Sequence, residues 1–113
     1  MKIVNRETFL KMPKNTVFTK YEPCNFGDLM IKGETLYPDF FQQQVLQVDC
    51  NDSVEFIDIL EAARKEGKSF NLDLDCEGRD GLFDEDQLFA VFEKADVEML
   101  IGRLKRCVKG EWK

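Results

Sequence analysis

The chain has no histidine. That absence removes Ser-His-Asp and Cys-His catalysis, imidazole metal ligands and the usual general base at neutral pH. No apolar run approaches the 18 residues that a membrane helix needs. The opening, M-K-I-V-N-R-E-T-F-L-K-M-P, is too polar for a secretory signal, so a cytoplasmic location is expected. The four cysteines, Cys24, Cys50, Cys76 and Cys107, contain no C-x-x-C pair, which argues against a zinc knuckle. Reduced, half-buried thiols are expected instead. Without histidine, activating any of them would need a nearby cation or a helix N-terminus. Cys76 stands among acids, a poor setting for a nucleophile.

What is abundant is negative charge, and it sits in one place. Residues 73–86, D-L-D-C-E-G-R-D-G-L-F-D-E-D, hold seven acids and a single base, Arg79. The acids are Asp73, Asp75, Glu77, Asp80, Asp84, Glu85 and Asp86. The segment's formal charge is −6, equal to that of the whole chain, and the 15 acids and 15 bases elsewhere cancel. A sequence pI near 4.7 disfavours nucleic acid, because phosphate is met by a basic surface. The sign suits a protein partner with a basic surface, or a metal ion.

The 113 residues suffice for one domain, 1–113, and 43% apolar composition with ten phenylalanines can supply its core. Residues 2–4 are β-prone. Asn5 can cap a short helix over 6–12 that Pro13 stops. Residues 16–21, 27–32 and 40–50 read as strands joined by short links, with Gly33-Glu34 as a turn, which suggests an antiparallel meander. Asp52 followed by Glu55, a stripe through Val54, Ile57, Leu60 and Ala63, and Gly67 at the end predict a helix over 53–66. Residues 69–75 alternate Phe70, Leu72 and Leu74 with Asn71, Asp73 and Asp75, the pattern of a half-buried strand. Residues 87–93 read as another strand. Asp96 can open a last helix running to about Cys107, with Val97, Leu100, Ile101 and Leu104 as its apolar face. The order βαβββαββα predicts an α+β fold: a mostly antiparallel sheet with about three helices, two of them long, packed on one face.

Several motifs compete for function. From Asp73 the acidic segment reads D-x-D-x-E-G-x-x-x-x-x-D, which partly matches a calcium-binding loop with Asp73, Asp75, Glu77 and Asp84 as oxygen ligands. Against this, Asp80 stands where an apolar residue belongs, the closing ligand is the short Asp84, and a strand pattern precedes the loop. The plain alternative is a hairpin loop whose acids face water. Pro38-Asp39 with Glu66-Gly67-Lys68 has the letters of a metal-dependent nuclease, but Glu66 and Lys68 fall on a helix stop and would diverge. Phe40 and Phe41 point to opposite faces of any strand, so one of them can contribute to an interface.

Two segments, residues 1–33 (M-K-I-V-N-R-E-T-F-L-K-M-P-K-N-T-V-F-T-K-Y-E-P-C-N-F-G-D-L-M-I-K-G) and 78–101 (G-R-D-G-L-F-D-E-D-Q-L-F-A-V-F-E-K-A-D-V-E-M-L-I), resemble small accessory proteins carried by bacteriophages and prophages. The resemblance covers about half the chain and transfers no residue role. It implies a context in which such proteins bind and inhibit a host protein, including host defence systems. The expectation is a non-enzymatic, cytoplasmic protein-binding module needing no cofactor. Its seven segment acids would meet a basic protein surface, without direct contact to nucleic acid or membrane. A divalent-metal domain using residues 73–86, or an immunity protein neutralising a basic toxin, are the alternatives. Oligomeric state is left open.

Overall fold

The computed structural model describes residues 1–113. Its elements are β1 (Lys2–Val4), α1 (Arg6–Leu10), β2 (Val17–Glu22), β3 (Asn25–Phe26), β4 (Met30–Leu36), β5 (Asp39–Gln44), α2 (Ser53–Glu66), β6 (Gly78–Arg79), β7 (Leu88–Val91) and α3 (Lys94–Lys109). The seven strands form one sheet in the order β1-β7-β2-β4-β5-β6, with β3 paired to β2 alone. Every pairing is antiparallel. The fold is therefore α+β, as the element pattern implies.

The core is a knot of four phenylalanines from four elements: Phe9 of α1, Phe18 of β2, Phe40 of β5 and Phe89 of β7. All four are fully buried. Phe9 stacks on Phe89 at 3.9 Å between ring centroids and meets Phe18 and Phe40 edge-on at 4.7 and 5.1 Å. Burial of one such ring stabilises by about 1.5–3 kcal/mol, and favourable ring pairs add about 0.5–1.5 kcal/mol. Leu10, Met30 and Val91 complete the cluster. α1 is short because Asn5 caps it, accepting from the Thr8 N–H at 2.9 Å, and Pro13 lies just beyond. It ends at Leu10, two residues before the expected Met12.

β4 begins later than the pattern suggested and runs through Gly33, where a turn was expected. Its pairing with β5 shifts register between Lys32 and Thr35. A Cβ on Gly33 would stand 3.0 Å from Phe41 Cβ and 3.1 Å from Glu77 Oε2, so a side chain there would push these neighbours aside by a few tenths of an ångström. Phe40 enters the core while Phe41, on the other face, is half-buried. β5 stops at Gln44 and does not extend to Cys50. Residues 69–75 are not a sheet strand either. They make one bridge, Val48 to Leu72, supported by Asp49 N–H to Asn71 O (3.0 Å) and Asp73 N–H to Gln47 O (2.8 Å). These contacts tie 47–49 to 71–73 as a narrow two-stranded arm at the foot of α2. The alternation was real, but no neighbouring layer covers it: Phe70, Leu72 and Leu74 are all exposed.

α2 has the expected bounds. Asp52 accepts from the Glu55 N–H at 2.8 Å, and Gly67 closes the helix in the left-handed conformation (φ 70°). α3 starts two residues before Asp96. Asp96 does not cap it but reaches back from the third helical position to the Glu93 N–H at 2.8 Å. The expected packing of the helices on one face is corrected here. α1 covers the phenylalanine cluster, but neither α2 nor α3 contains a buried residue. Both are amphipathic, and each stripe is only partly covered: Leu60, Ala63, Val97 and Leu100 are half-buried, whereas Val54, Ile57, Ile101 and Leu104 are exposed. The radius of gyration, 16.3 Å, accordingly exceeds the roughly 13 Å of a compact chain this long.

Candidate functional site

The acidic segment is a strap. It leaves β6 at the outer edge of the sheet and enters β7, which lies on the far side of β5, β4 and β2. Residues 80–87 must therefore cross one end of the sheet, where a hairpin loop projecting from neighbouring strands was expected. Two buried carboxylates fasten this crossing.

Asp39, at the start of β5, is completely buried. It accepts from its neighbour Phe40 N–H at 2.8 Å, from Gly81 N–H at 3.1 Å and from Arg79 Nε at 3.0 Å. Burial pushes its carboxyl pKa up. The two backbone N–H groups and the Arg79 guanidinium outweigh that and hold it below the usual carboxylate range. Asp80 points the same way. Its side chain is 1% exposed, and it accepts from Lys20 Nζ at 2.5 Å and lies 3.5 Å from Arg6. Arg6 also donates to Pro38 O at 2.9 Å and stands 4.0 Å from Asp39. Three cations from α1, β2 and β6 thus clamp two inward carboxylates at the sheet end.

This arrangement divides the seven segment acids. Asp80 is corrected: it is a fastening group, engaged inside the molecule and not presented to a partner. Asp73 is half-buried and accepts from the Asp75 N–H at 2.9 Å, shaping a local turn. Asp84 does the same for the Asp86 N–H at 3.0 Å while remaining exposed. Asp75, Glu77, Glu85 and Asp86 are exposed. Among the segment's acids, only Asp80 forms an ion pair within the chain. Phe83 holds φ 52° at the crest of the strap and is itself exposed.

The acids of the calcium-loop pattern are not gathered into one cluster. No three acidic or thiol side chains converge anywhere in the chain. Asp73 faces a local turn, and Glu77 lies beside Gly33 on the β4 bulge. Of the nuclease letters, Glu66 and Lys68 meet, where they were expected to diverge. Asp39 is consumed by Arg79 and Gly81, while Glu66 and Lys68 pair with each other at 3.1 Å at the end of α2. Cys24, Cys76 and Cys107 are exposed and Cys50 is half-buried, so most of the thiols lie further out than expected. Burial and then the charges of Glu55, Asp52 and Asp49 push the Cys50 thiol pKa up, which disfavours its nucleophilic form.

Two residues escaped sequence reasoning. One is Arg6, which sits in a helix start but serves as the clamp's central cation. The other is Lys32, almost fully buried with no carboxylate partner. Its Nζ donates to Thr35 Oγ1 at 2.7 Å and to Gly33 O at 3.1 Å, and Thr35 donates on to Leu10 O at 2.7 Å. It stitches the β4 bulge to α1. Burial lowers its ammonium pKa, partly opposed by Glu34. The β4 pattern marked Lys32 only as the polar end of a strand. The largest cleft, about 350 Å³, lies beside the clamp between Asn5, Arg6, Leu10, Tyr37 and Pro38, with Glu85 on its rim. Glu7 also lines it, so the cleft presents two carboxylates, the Arg6 guanidinium and the Tyr37 phenol.

Comparison with protein-family models, curated proteins and solved structures finds no match to this chain. No helix is long and apolar enough to cross a membrane.

Proposed function

We propose that the chain is a non-enzymatic protein-binding module whose strap engages a basic protein surface. In the setting implied by the bacteriophage resemblance, it acts in the host cytoplasm as an inhibitor of a host defence or nucleic-acid enzyme. It contacts that enzyme and not the nucleic acid. The observation that carries the reading is the division of the strap's acids. Asp80 is turned inward and neutralised, and the clamp it shares with Asp39 holds the strap in place. Asp75, Glu77, Asp84, Glu85 and Asp86 are left outward without an internal cation. Asp84, Glu85 and Asp86 lie on the crossing segment that Asp39 and Asp80 fasten, and Asp75 and Glu77 lead into β6; carboxylates held in this way need less ordering on association. Their summed field also steers encounter with a basic surface and makes it sensitive to salt.

The test is affinity capture from bacterial lysate with mass spectrometry, repeated with Asp75, Glu77, Glu85 and Asp86 changed to Lys. None of these four side chains makes a hydrogen bond or ion pair within the chain, so the variant should keep its fold. A protein partner retained by the wild type at low salt, released by salt and lost with the variant is the expected result. Equal capture by wild type and variant sinks the reading.

A further inference from the structure

We propose that the cleft beside the clamp is a binding site for a free α-amino acid with an apolar side chain. The clamp supplies the reason. It sets three cations, Arg6, Lys20 and Arg79, against two carboxylates, Asp39 and Asp80, and so has one positive charge in excess. Arg6 is the cation left over. Asp39 holds Arg79 at 3.0 Å and Asp80 holds Lys20 at 2.5 Å, whereas Arg6 stands 3.5 Å from Asp80 and 4.0 Å from Asp39. Its one short bond goes to a neutral group, Pro38 O, at 2.9 Å. The side chains of Lys20 and Arg79 also reach water, at 24% and 52% exposure, but that of Arg6 is 7% exposed. Of the five N–H groups of a guanidinium, those of Arg6 find two acceptors in the chain. The Phe40 ring, 5.4 Å away, offsets part of the charge. A buried cation met so loosely favours a further anionic partner, and its planar fork suits a carboxylate.

Arg6 is also part of the cleft wall, so the cleft is where that partner is met. A simple anion does not fit, because the other charged groups on the wall are Glu7 and Glu85. A simple cation does not fit either, because it meets Arg6. A molecule with both charges suits all three, with its carboxylate at Arg6 and its ammonium towards Glu7 and Glu85. Glu85 makes no ion pair within the chain. Glu7 stands 3.7 Å from Lys11, but both side chains are more than three-quarters exposed, and so exposed a pair is weak.

Leu10, Tyr37 and Pro38 form the apolar part of the wall, where the ligand's side chain lies. The size agrees. A water takes about 30 Å³ of liquid, so a cleft of about 350 Å³ has the room of about a dozen waters, the bulk of a free amino acid. The site stands apart from the protein-binding reading of the strap. It uses one strap acid, Glu85, and its test contains no partner protein.

Heteronuclear NMR of the isotope-labelled full chain at neutral pH tests this. The probes are leucine, isoleucine, valine, methionine and phenylalanine, each titrated to roughly 10 mM, where even a millimolar site is mostly filled. At least one should give saturable shifts of the backbone signals of Arg6, Glu7, Leu10, Tyr37 and Glu85. No saturable shift there from any of the five overturns the proposal. The tightest probe is then compared with its acid and its amine, which for leucine are isocaproate and isoamylamine. Each should bind at least about fivefold more weakly, and equal binding by either overturns recognition of two charges. Glu85→Gln should keep the fold, since Glu85 makes no bond within the chain, and should weaken the amino acid about fivefold. Unchanged affinity overturns the place of the ammonium. Glu7→Gln combined with Glu85→Gln tests Arg6 without disturbing the clamp. This variant should bind the acid analogue more tightly than the wild type does, because two repelling carboxylates are gone and the guanidinium remains. No gain overturns the role of Arg6.

Discussion

α1 has five residues, whereas α2 and α3 have 14 and 16, with complete caps and regular apolar stripes. Yet α1 is the helix that reaches the core, and the longer two contain no buried residue. Periodicity and capping decide whether a helix forms, because they concern hydrogen bonds and side chains within a few residues of each other. They do not decide what the helix packs on. That depends on where the sheet's apolar face lies, and this sheet spends its apolar face on four phenylalanines and one short helix. The molecule is thus a small, dense centre with two amphipathic arms attached.

The sharpest way to break that comparison is to truncate one large residue on each side. Phe9→Ala removes the ring that touches Phe18, Phe40 and Phe89, and should cost about 3–5 kcal/mol in urea unfolding. Ile57→Ala on α2 removes a side chain exposed to solvent and should change the monomer by no more than about 0.5 kcal/mol. Similar losses from the two variants would mean that α2 is part of one cooperative core after all.

The next largest effect is expected at the clamp. Asp39→Ala leaves the Gly81 N–H, the Phe40 N–H and Arg79 without their acceptor and should cost about 3 kcal/mol. The sign of its pH dependence follows from the depressed carboxyl. The unfolded state holds its proton at higher pH than the folded state, so the contribution is present in full above the ordinary carboxylate range. It is lost as pH falls from there through the lowered folded value. Unfolding midpoints of wild type and Asp39→Ala should converge on acidification. A constant gap between them would show that Asp39 acts by shape and not by charge.

The clamp also shows where sequence reading reaches its limit. Helix α2, its Asp52 cap and its Gly67 stop were legible because each rests on neighbours in the chain. The antiparallel sheet and the strand near Leu88 were legible from alternation and turns. Asp39 and Asp80 were not, because a carboxylate's role depends on which cations the topology brings to it. Arg6 is 74 positions from Asp80, and Lys20 is 60. Residues 73–86 looked uniform by composition, and only the crossing from β6 to β7 separates the acid that fastens the strap from those that face outward. Residues 69–75 misled for the converse reason. A strand pattern was present, but no sheet neighbour was within reach.

Lys32 gives the smallest effect and the most direct test of how the dense centre treats charge. It is buried like Asp39, but it is stitched by two neutral acceptors and has no opposite charge. Lys32→Met keeps the aliphatic stem beneath Phe9 and gives up only the amine. Thr35 retains its bond to Leu10 O, and one carbonyl, that of Gly33, loses a donor. The lost hydrogen bonds and the relieved desolvation nearly cancel, so the change should stay within about 1 kcal/mol at neutral pH. The pH profile separates the two contributions. Because burial lowers the folded-state pKa, the unfolded chain binds the extra proton between that value and the ordinary lysine range. Wild-type stability therefore gains from Lys32 as pH rises through this window, whereas the Met variant lacks the gain. The difference between the two unfolding curves, measured from neutral to alkaline pH, should tilt towards the wild type. A flat difference would mean that the ammonium is as comfortable in the fold as in water, and that the centre is wetter than its packing implies.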